Sequence, residues 1–280
     1  VDKVTDPTDD PTLFDFTTDY GSPFTLADGS TPNNSGYLVP GTYSAAEAAE
    51  AGWDLTSATC SDGSDPFSIS LQAGETVTCT FNNQKDANII VEKQTLPDGS
   101  QTVFDFDLSY GDNDADLSDG QQDDSGDLDP DTYSVAENTP AGWDLTSTVC
   151  TSSLTGTEDE SAIALTAGET VTCVFTNTER GHVIIEKNAI NDSSLVFTFN
   201  NNFGNGNPGT FNLTDDSTPG FASSTFEVLP GEYAVSEDAV VGWQSPESTS
   251  CTNGETVESI NVAPGETVTC TFVNEQLAKI

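Results

Sequence analysis

Ala73-Gly74-Glu75-Thr76-Val77-Thr78-Cys79-Thr80-Phe81 returns twice along the chain, as Ala167–Phe175 and as Pro264–Phe272, with one residue changed each time. Repetition at a fixed period decides architecture before any local pattern does. Upstream of each copy lies a Gly-Trp pair: Gly52-Trp53, Gly142-Trp143 and Gly242-Trp243. Further upstream stand Pro40-Gly41-Thr42-Tyr43, Pro130-Asp131-Thr132-Tyr133 and Pro230-Gly231-Glu232-Tyr233. Each copy opens on a lysine, in Val1-Asp2-Lys3, Val91-Glu92-Lys93 and Ile185-Glu186-Lys187. These lysines are 93 − 3 = 90 and 187 − 93 = 94 residues apart, the size of one two-sheet sandwich.

The local pattern agrees. Segments such as Val103-Phe104-Asp105-Phe106-Asp107-Leu108 alternate apolar and polar residues, the period of a strand with one buried face. Pro-Gly, Asp-Gly and Ala-Gly pairs punctuate them where turns need special backbone angles. Nothing shows a helical period. The expected fold is all-β: three tandem immunoglobulin-like sandwiches over residues 1–86, 87–180 and 181–276, joined near Asn83–Ala87 and Asn177–His182 by linkers short enough to favour an extended rod. Residues 277–280 read as the start of the first strand of a following unit. Written tail to head, Ala278-Lys279-Ile280 followed by Val1-Asp2-Lys3 resembles Ala87–Lys93, so the first strand of copy one reads as truncated. The expectation is one period of a longer head-to-tail array, joined covalently or by strand completion; a frayed tail is the plainer alternative.

Composition narrows function. Six basic against 47 acidic residues give 6 − 47 = −41, and a hydrophobic share of 34% argues against one large core. Such a charge repels phosphate, which argues against nucleic acid and anionic membranes as partners. One histidine (His182) and no methionine leave almost no material for histidine catalysis or histidine-rich metal sites. No apolar run reaches membrane length, so no membrane insertion is expected in this segment. The acid excess fits a high-salt habitat, where screening tames self-repulsion.

Six cysteines fall two per copy: Cys60 and Cys79, Cys150 and Cys173, Cys251 and Cys270. The repeat selects the intradomain pairing out of the fifteen that six cysteines allow. Structural disulfides place the protein in an oxidising, extracellular compartment; zinc is the rival, but the spacings match no finger.

Residues two apart share a strand face. In copy two, Ile89, Val91 and Lys93 share one face of the opening strand, Val171, Cys173, Phe175 and Asn177 one face of the last, and Tyr133, Val135 and Glu137 one face of a middle strand. Copy three repeats the set with Lys187, Glu237 and Asn274, and copy one with Lys3, Glu47 and Asn83. Three of the chain's six basic residues thus occupy one inward slot. A buried lysine is costly unless paired, and so is a buried carboxyl.

The first-strand lysine, the stretch Glu137-Asn138-Thr139-Pro140-Ala141-Gly142-Trp143 and the closing Phe-x-Asn together resemble the collagen-adhesin B-type (SpaA-like) prealbumin-like domains of bacterial surface proteins and pilins. The resemblance implies the sandwich fold and, in each copy, an isopeptide bond between lysine and asparagine assisted by the glutamate. The candidates are Lys3, Glu47 and Asn83; Lys93, Glu137 and Asn177; and Lys187, Glu237 and Asn274. A buried Lys–Glu pair hydrogen-bonded to the asparagine is the alternative. Departures from the family pattern are Trp in place of Tyr, the added disulfide, and the missing proline in copies one and three.

The acidic loop of copy two offers Asp112, Asp114, Asp116 and Asp119 as candidate calcium ligands, with a merely solvated loop as the alternative. No other cofactor is expected. Asn33, Asn191 and Asn212 stand in Asn-x-Ser/Thr contexts acceptable for glycans. No nucleophile with an adjacent base suggests turnover, so the chain is not expected to be an enzyme. The expected function is a structural segment of an extracellular or cell-surface filament or stalk, its partner being itself. The alternative is an adhesin that binds a host protein or glycan through its loops.

Overall fold

The computed structural model describes residues 1–111, 114–190, 194–214 and 222–280, and no helix occurs among them. Three β-sandwiches follow one another, each with its own buried core. The first is built from β1 (Asp2–Asp6), β2 (Phe14–Thr18), β3 (Phe24–Leu26), β4 (Gly41–Tyr43), β5 (Ala45–Glu47), β6 (Trp53–Cys60), β7 (Ile69–Leu71) and β8 (Cys79–Lys85). The second comprises β9 (Asn88–Leu96), β10 (Phe104–Leu108), β11 (Asp114–Leu117), β12 (Gln122–Asp124), β13 (Thr132–Tyr133), β14 (Val135–Asn138), β15 (Trp143–Ser152), β16 (Thr157–Glu158), β17 (Ile163–Ala164) and β18 (Thr170–Glu179). The third comprises β19 (Gly181–Ala189), β20 (Val196–Asn201), β21 (Thr210–Thr214), β22 (Ala222–Val228), β23 (Gly231–Tyr233), β24 (Val235–Glu237), β25 (Trp243–Cys251), β26 (Ile260–Val262) and β27 (Thr267–Gln276).

In every sandwich the first and last strands are parallel neighbours, β1 on β8, β9 on β18 and β19 on β27, and the last strand pairs antiparallel with β6, β15 or β25 on its other side. The register sets Lys3 opposite Phe81, Lys93 opposite Phe175 and Lys187 opposite Phe272. Facing this sheet, β2, β10 and β20 alternate buried phenylalanines with outward polar residues: Phe14 and Phe16, Phe104 and Phe106, Phe197 and Phe199 are fully buried. Each such ring contributes roughly 1.5–3 kcal/mol through burial. Phe16 meets Phe81 edge to face, Phe106 meets Phe175 and Phe199 meets Phe272, so the same aromatic contact joins the two sheets three times.

The repeated sequence phrases now acquire reasons. In the Ala/Pro-Gly-Glu turn, Gly74, Gly168 and Gly265 hold φ of 80°, 71° and 69°, a region that costs glycine nothing. The following glutamate closes the turn, accepting the backbone N–H of Gln72, Thr166 or Ala263. The cysteines sit directly opposite one another on neighbouring strands, and the three disulfides Cys60–Cys79, Cys150–Cys173 and Cys251–Cys270 join them.

Consecutive sandwiches meet through one repeated joint. The Asp86 N–H donates to the Gly52 carbonyl and the Arg180 N–H to that of Gly142. The turn glycine of the following sandwich donates back, Gly168 to the Lys85 carbonyl at 3.3 Å and Gly265 to that of Glu179 at 3.2 Å.

Candidate isopeptide sites

Each site is assembled from four strands. The lysine comes from the opening strand, the asparagine from the closing strand, the glutamate from β5, β14 or β24, and a phenylalanine from β2, β10 or β20 floors the pocket. The Nζ atoms of Lys3, Lys93 and Lys187 each lie 2.8 Å from the Oδ1 of Asn83, Asn177 and Asn274. The three asparagines donate from Nδ2 to Oε1 of Glu47, Glu137 and Glu237 at 2.7, 2.5 and 2.5 Å. The other carboxylate oxygen faces the amine, at 3.8, 3.6 and 4.0 Å. The structure therefore brings together all nine residues that the sequence singled out, in three equivalent triads.

Burial makes these triads chemically unusual. The lysine and glutamate side chains are 0–2% exposed. Beneath each amine lies a phenyl face, Phe14, Phe104 or Phe197, with centroids 4.0, 4.1 and 4.2 Å away. The tryptophan of the Gly-Trp pair packs edge-on against that same ring in all three copies. Phenylalanine and tryptophan cover the amine, which also donates to backbone carbonyls, Lys3 to Val4, Lys93 to Gln94 and Lys187 to Asn188. Burial pushes the Lys3 and Lys93 ammonium groups below the ordinary lysine range, against the opposing pull of Glu47 and Glu137. Burial likewise raises the Glu47 carboxyl, while its bonds to Asn83 and Lys3 oppose the rise. Both directions favour a neutral amine beside a neutral acid.

The other candidates are placed elsewhere. Asp114 and Asp116 sit on β11 opposite Asp107 and Asp105. Asp119 turns to the backbone, accepting the N–H groups of Thr95 and Gly99, as Asp28 accepts that of Asp9 in the first sandwich. Among the described residues these three aspartates do not gather into one cluster; Asp112 lies outside the described residues. Asn33 exchanges backbone hydrogen bonds with Val1, Asn212 pairs with Thr198 in β21, and Asn191 lies outside the described residues. One feature that the sequence reading missed lies at the joints. Arg180 grips Asp144 with two nitrogens and Glu227 with a third, at 2.7–2.8 Å. At the equivalent place in the first joint, Asp54, Asp86 and Asp129 bring their carboxylates within 4.8 Å of one another. Aligning copies one and two on Phe81 and Phe175 would have placed Asp86 in the slot of Arg180.

Comparison with known proteins fits this geometry. Two family models, each described as a prealbumin-like fold domain of the SpaA type, match the chain, one over residues 89–179 and the other over residues 4–81 and 204–272. The chain belongs to this SpaA-like prealbumin-like family. No curated protein matches it by sequence. Similar solved structures include the Bacillus anthracis TIE protein, 17% identical over 98% of this chain and 50% of that one, with a TM-score of 0.37. The open conformation of the pilus adhesin SpaC from Lactobacillus rhamnosus GG is 18% identical over 100% and 43%, with a TM-score of 0.27. The major pilin T-13 from Streptococcus pyogenes is 11% identical over 69% and 98%, with a TM-score of 0.28. This chain spans about half the length of the first two.

Proposed function

We propose that this chain is a structural segment of an extracellular, pilus-type filament or stalk, in which three sandwiches in a row carry tension. Each would be locked by its own lysine–asparagine isopeptide bond, and units would follow one another head to tail. The observation that carries this reading is the triad of amine, carboxamide and carboxyl, sealed in an apolar pocket and repeated three times with the same 2.8 Å approach.

The chemistry follows from the placement. The neutral Nζ attacks Cγ of the asparagine, a C–N bond forms, and the Cγ–Nδ2 bond breaks to release ammonia. The glutamic acid hydrogen-bonds the carboxamide and passes a proton from the attacking amine to the leaving nitrogen. The reaction happens once per site, so it is maturation and not turnover. It also removes a buried amine that could take up a proton only at a desolvation cost.

Mechanically, the bond ties two adjacent parallel strands, where the chain enters and leaves each sandwich. Tension entering at Asn88 would reach Asn177 through Lys93 and leave along β18 without loading the rest of the fold. The extracellular assignment rests on three disulfides in a small-domain chain with no free cysteine.

Intact mass under denaturing conditions tests the reading. The expected mass is that of the chain with three disulfides less three ammonia molecules. Lys93→Ala, Glu137→Ala or Asn177→Ala should each restore one ammonia. A wild-type mass corrected only for disulfides overturns the isopeptide assignment.

A further inference from the structure

Trp53-Asp54-Leu55-Thr56-Ser57 and Trp143-Asp144-Leu145-Thr146-Ser147 are the same five residues, whereas the third copy reads Trp243-Gln244-Ser245-Pro246-Glu247-Ser248. In each sandwich this stretch leads from the tryptophan toward the cysteine, on the strand that flanks the asparagine. The separations from tryptophan to cysteine are 60 − 53 = 7, 150 − 143 = 7 and 251 − 243 = 8.

Residues an odd number apart on an unbroken strand face opposite ways. Trp53 and Cys60 are nevertheless both buried, as are Trp143 and Cys150. A β-bulge reconciles the two. On β6 the pairing passes from Leu55 opposite Asn83 to Ser57 opposite Asn82, so Thr56 is an extra residue. On β15 it passes from Leu145 opposite Asn177 to Ser147 opposite Thr176, and Thr146 is the extra residue. One added residue reverses the alternation and turns the tryptophan inward. The threonine hydroxyl fastens the bulge, donating to the Asn82 carbonyl at 3.0 Å or the Thr176 carbonyl at 3.1 Å. Those carbonyls immediately precede the candidate asparagines Asn83 and Asn177.

The third sandwich is built otherwise. Pairing passes from Gln244 opposite Glu275 to Ser248 opposite Val273, so residues 245–247 stand against Asn274 alone. Pro246 has no N–H to give the ladder there. Asn83 and Asn177 thus have a partner in the register of the flanking strand, and Asn274 has none in its own. Coverage changes with it: Trp53 and Trp143 are 8% and 6% exposed, and Trp243 is half-buried. The Trp243 ring centroid lies 5.6 Å from that of Phe197, against 5.2 Å for both equivalent pairs. The separation of amine and carboxylate is also longest here, 4.0 Å against 3.8 and 3.6 Å.

We propose that the bulge beside the asparagine is a positioning element that sets how fast each cross-link forms, so that the first two sandwiches close before the third. It keeps the asparagine on a paired stretch of strand and aims Trp53 or Trp143 at the phenyl ring beneath the amine. The third site has the same triad without either support. The step itself is the one already written, in which the Nζ–Cγ bond forms, the Cγ–Nδ2 bond breaks and ammonia leaves. The inference rests on the lysine–asparagine reading above and concerns its rate.

Freshly synthesised chain, sampled over time and mapped by mass spectrometry of its peptides, reports the loss of ammonia at each site separately. The third site should close about tenfold more slowly than the other two, the effect of roughly one pH unit on the neutral fraction of a less covered amine. Replacing Gln244–Ser248 with Asp-Leu-Thr-Ser restores the shorter spacing and should bring the third site to the rate of the second. Trp143→Ala should slow the second site by a similar factor and leave the first unchanged, while Trp143→Phe keeps most of the rate. The graft is expected to gain rate, a result that misfolding cannot imitate. A third site as fast as the others in the native chain, a graft that does not accelerate it, or a Trp143→Ala chain with an unaltered second site overturns the inference while the cross-links stand. Loss of no ammonia at any site overturns the cross-link reading and this inference with it.

Discussion

The two joints of this chain share a backbone and oppose each other in charge. Both pair a linker N–H with the glycine of the Gly-Trp turn, and both seat the next turn glycine on the last-strand carbonyl. At the second joint a guanidinium lies between the sandwiches and pairs with both Asp144 and Glu227. At the first, Asp86 takes that position and adds its charge to Asp54 and Asp129. The pKa directions diverge accordingly. Asp144 is lowered, first by its bond to Arg180, while Asp54 is raised, first by its side-chain interaction with Asp129. Asp86 is raised by burial and then by Asp54, Asp127 and Asp129. Backbone geometry thus fixes how sandwiches meet, and the side chain in one slot sets whether the meeting is attractive.

This contrast can be broken or sharpened in four ways. The largest change serves as a reference within a single sandwich. Cys150→Ser with Cys173→Ser removes a cross-link between residues 23 apart and should cost the middle sandwich about 3 kcal/mol in chemical denaturation. Inter-sandwich alignment, followed by residual dipolar couplings, should stay intact at both joints, and misalignment would mean that joints and sandwiches are not separable.

Next comes Arg180→Asp, which rebuilds the second joint in the image of the first. The three side chains are partly exposed, so the loss should be about 1 kcal/mol of joint stability, read as broadened alignment between the second and third sandwiches. Unchanged alignment would show that the arginine is ornamental.

Asp86→Arg is the reverse graft and should tighten the first joint by somewhat less, under about 1 kcal/mol, because no bidentate geometry is prepared for it.

Acidification should give the smallest effect, and with opposite signs. Asp54 and Asp86 have raised pKa values, so their penalty exists at neutral pH and is relieved as pH falls through those values. Asp144 has a lowered pKa, so its contribution persists through that window and is lost only at still lower pH. Mild acid should therefore firm the first joint while leaving the second unchanged. About 1 M salt, with a screening length of about 3 Å, should firm the first joint similarly at neutral pH. Equal responses at both joints would dissolve the comparison.

Much of the site was legible before any coordinates. Period-two alternation turned Lys93, Glu137 and Asn177 inward, and the repeat assigned the same faces to the other two copies. What did not show was the pocket that encloses them. Phe14, Phe104 and Phe197 come from the opposite sheet, and the tryptophans that seal them read only as turn markers. The acidic loop shows the converse: Asp114, Asp116 and Asp119 look like ligands on a line of sequence but point to different partners in space.

Sequence alone determined the number of sandwiches, the strand period, the cysteine pairing and the facing of the triads, because all of these follow from local spacing repeated three times. Tertiary structure decided how the triads are desolvated and which charge occupies each joint. Those depend on groups that meet across sheets or across two sandwiches, where no periodicity along the chain records who faces whom.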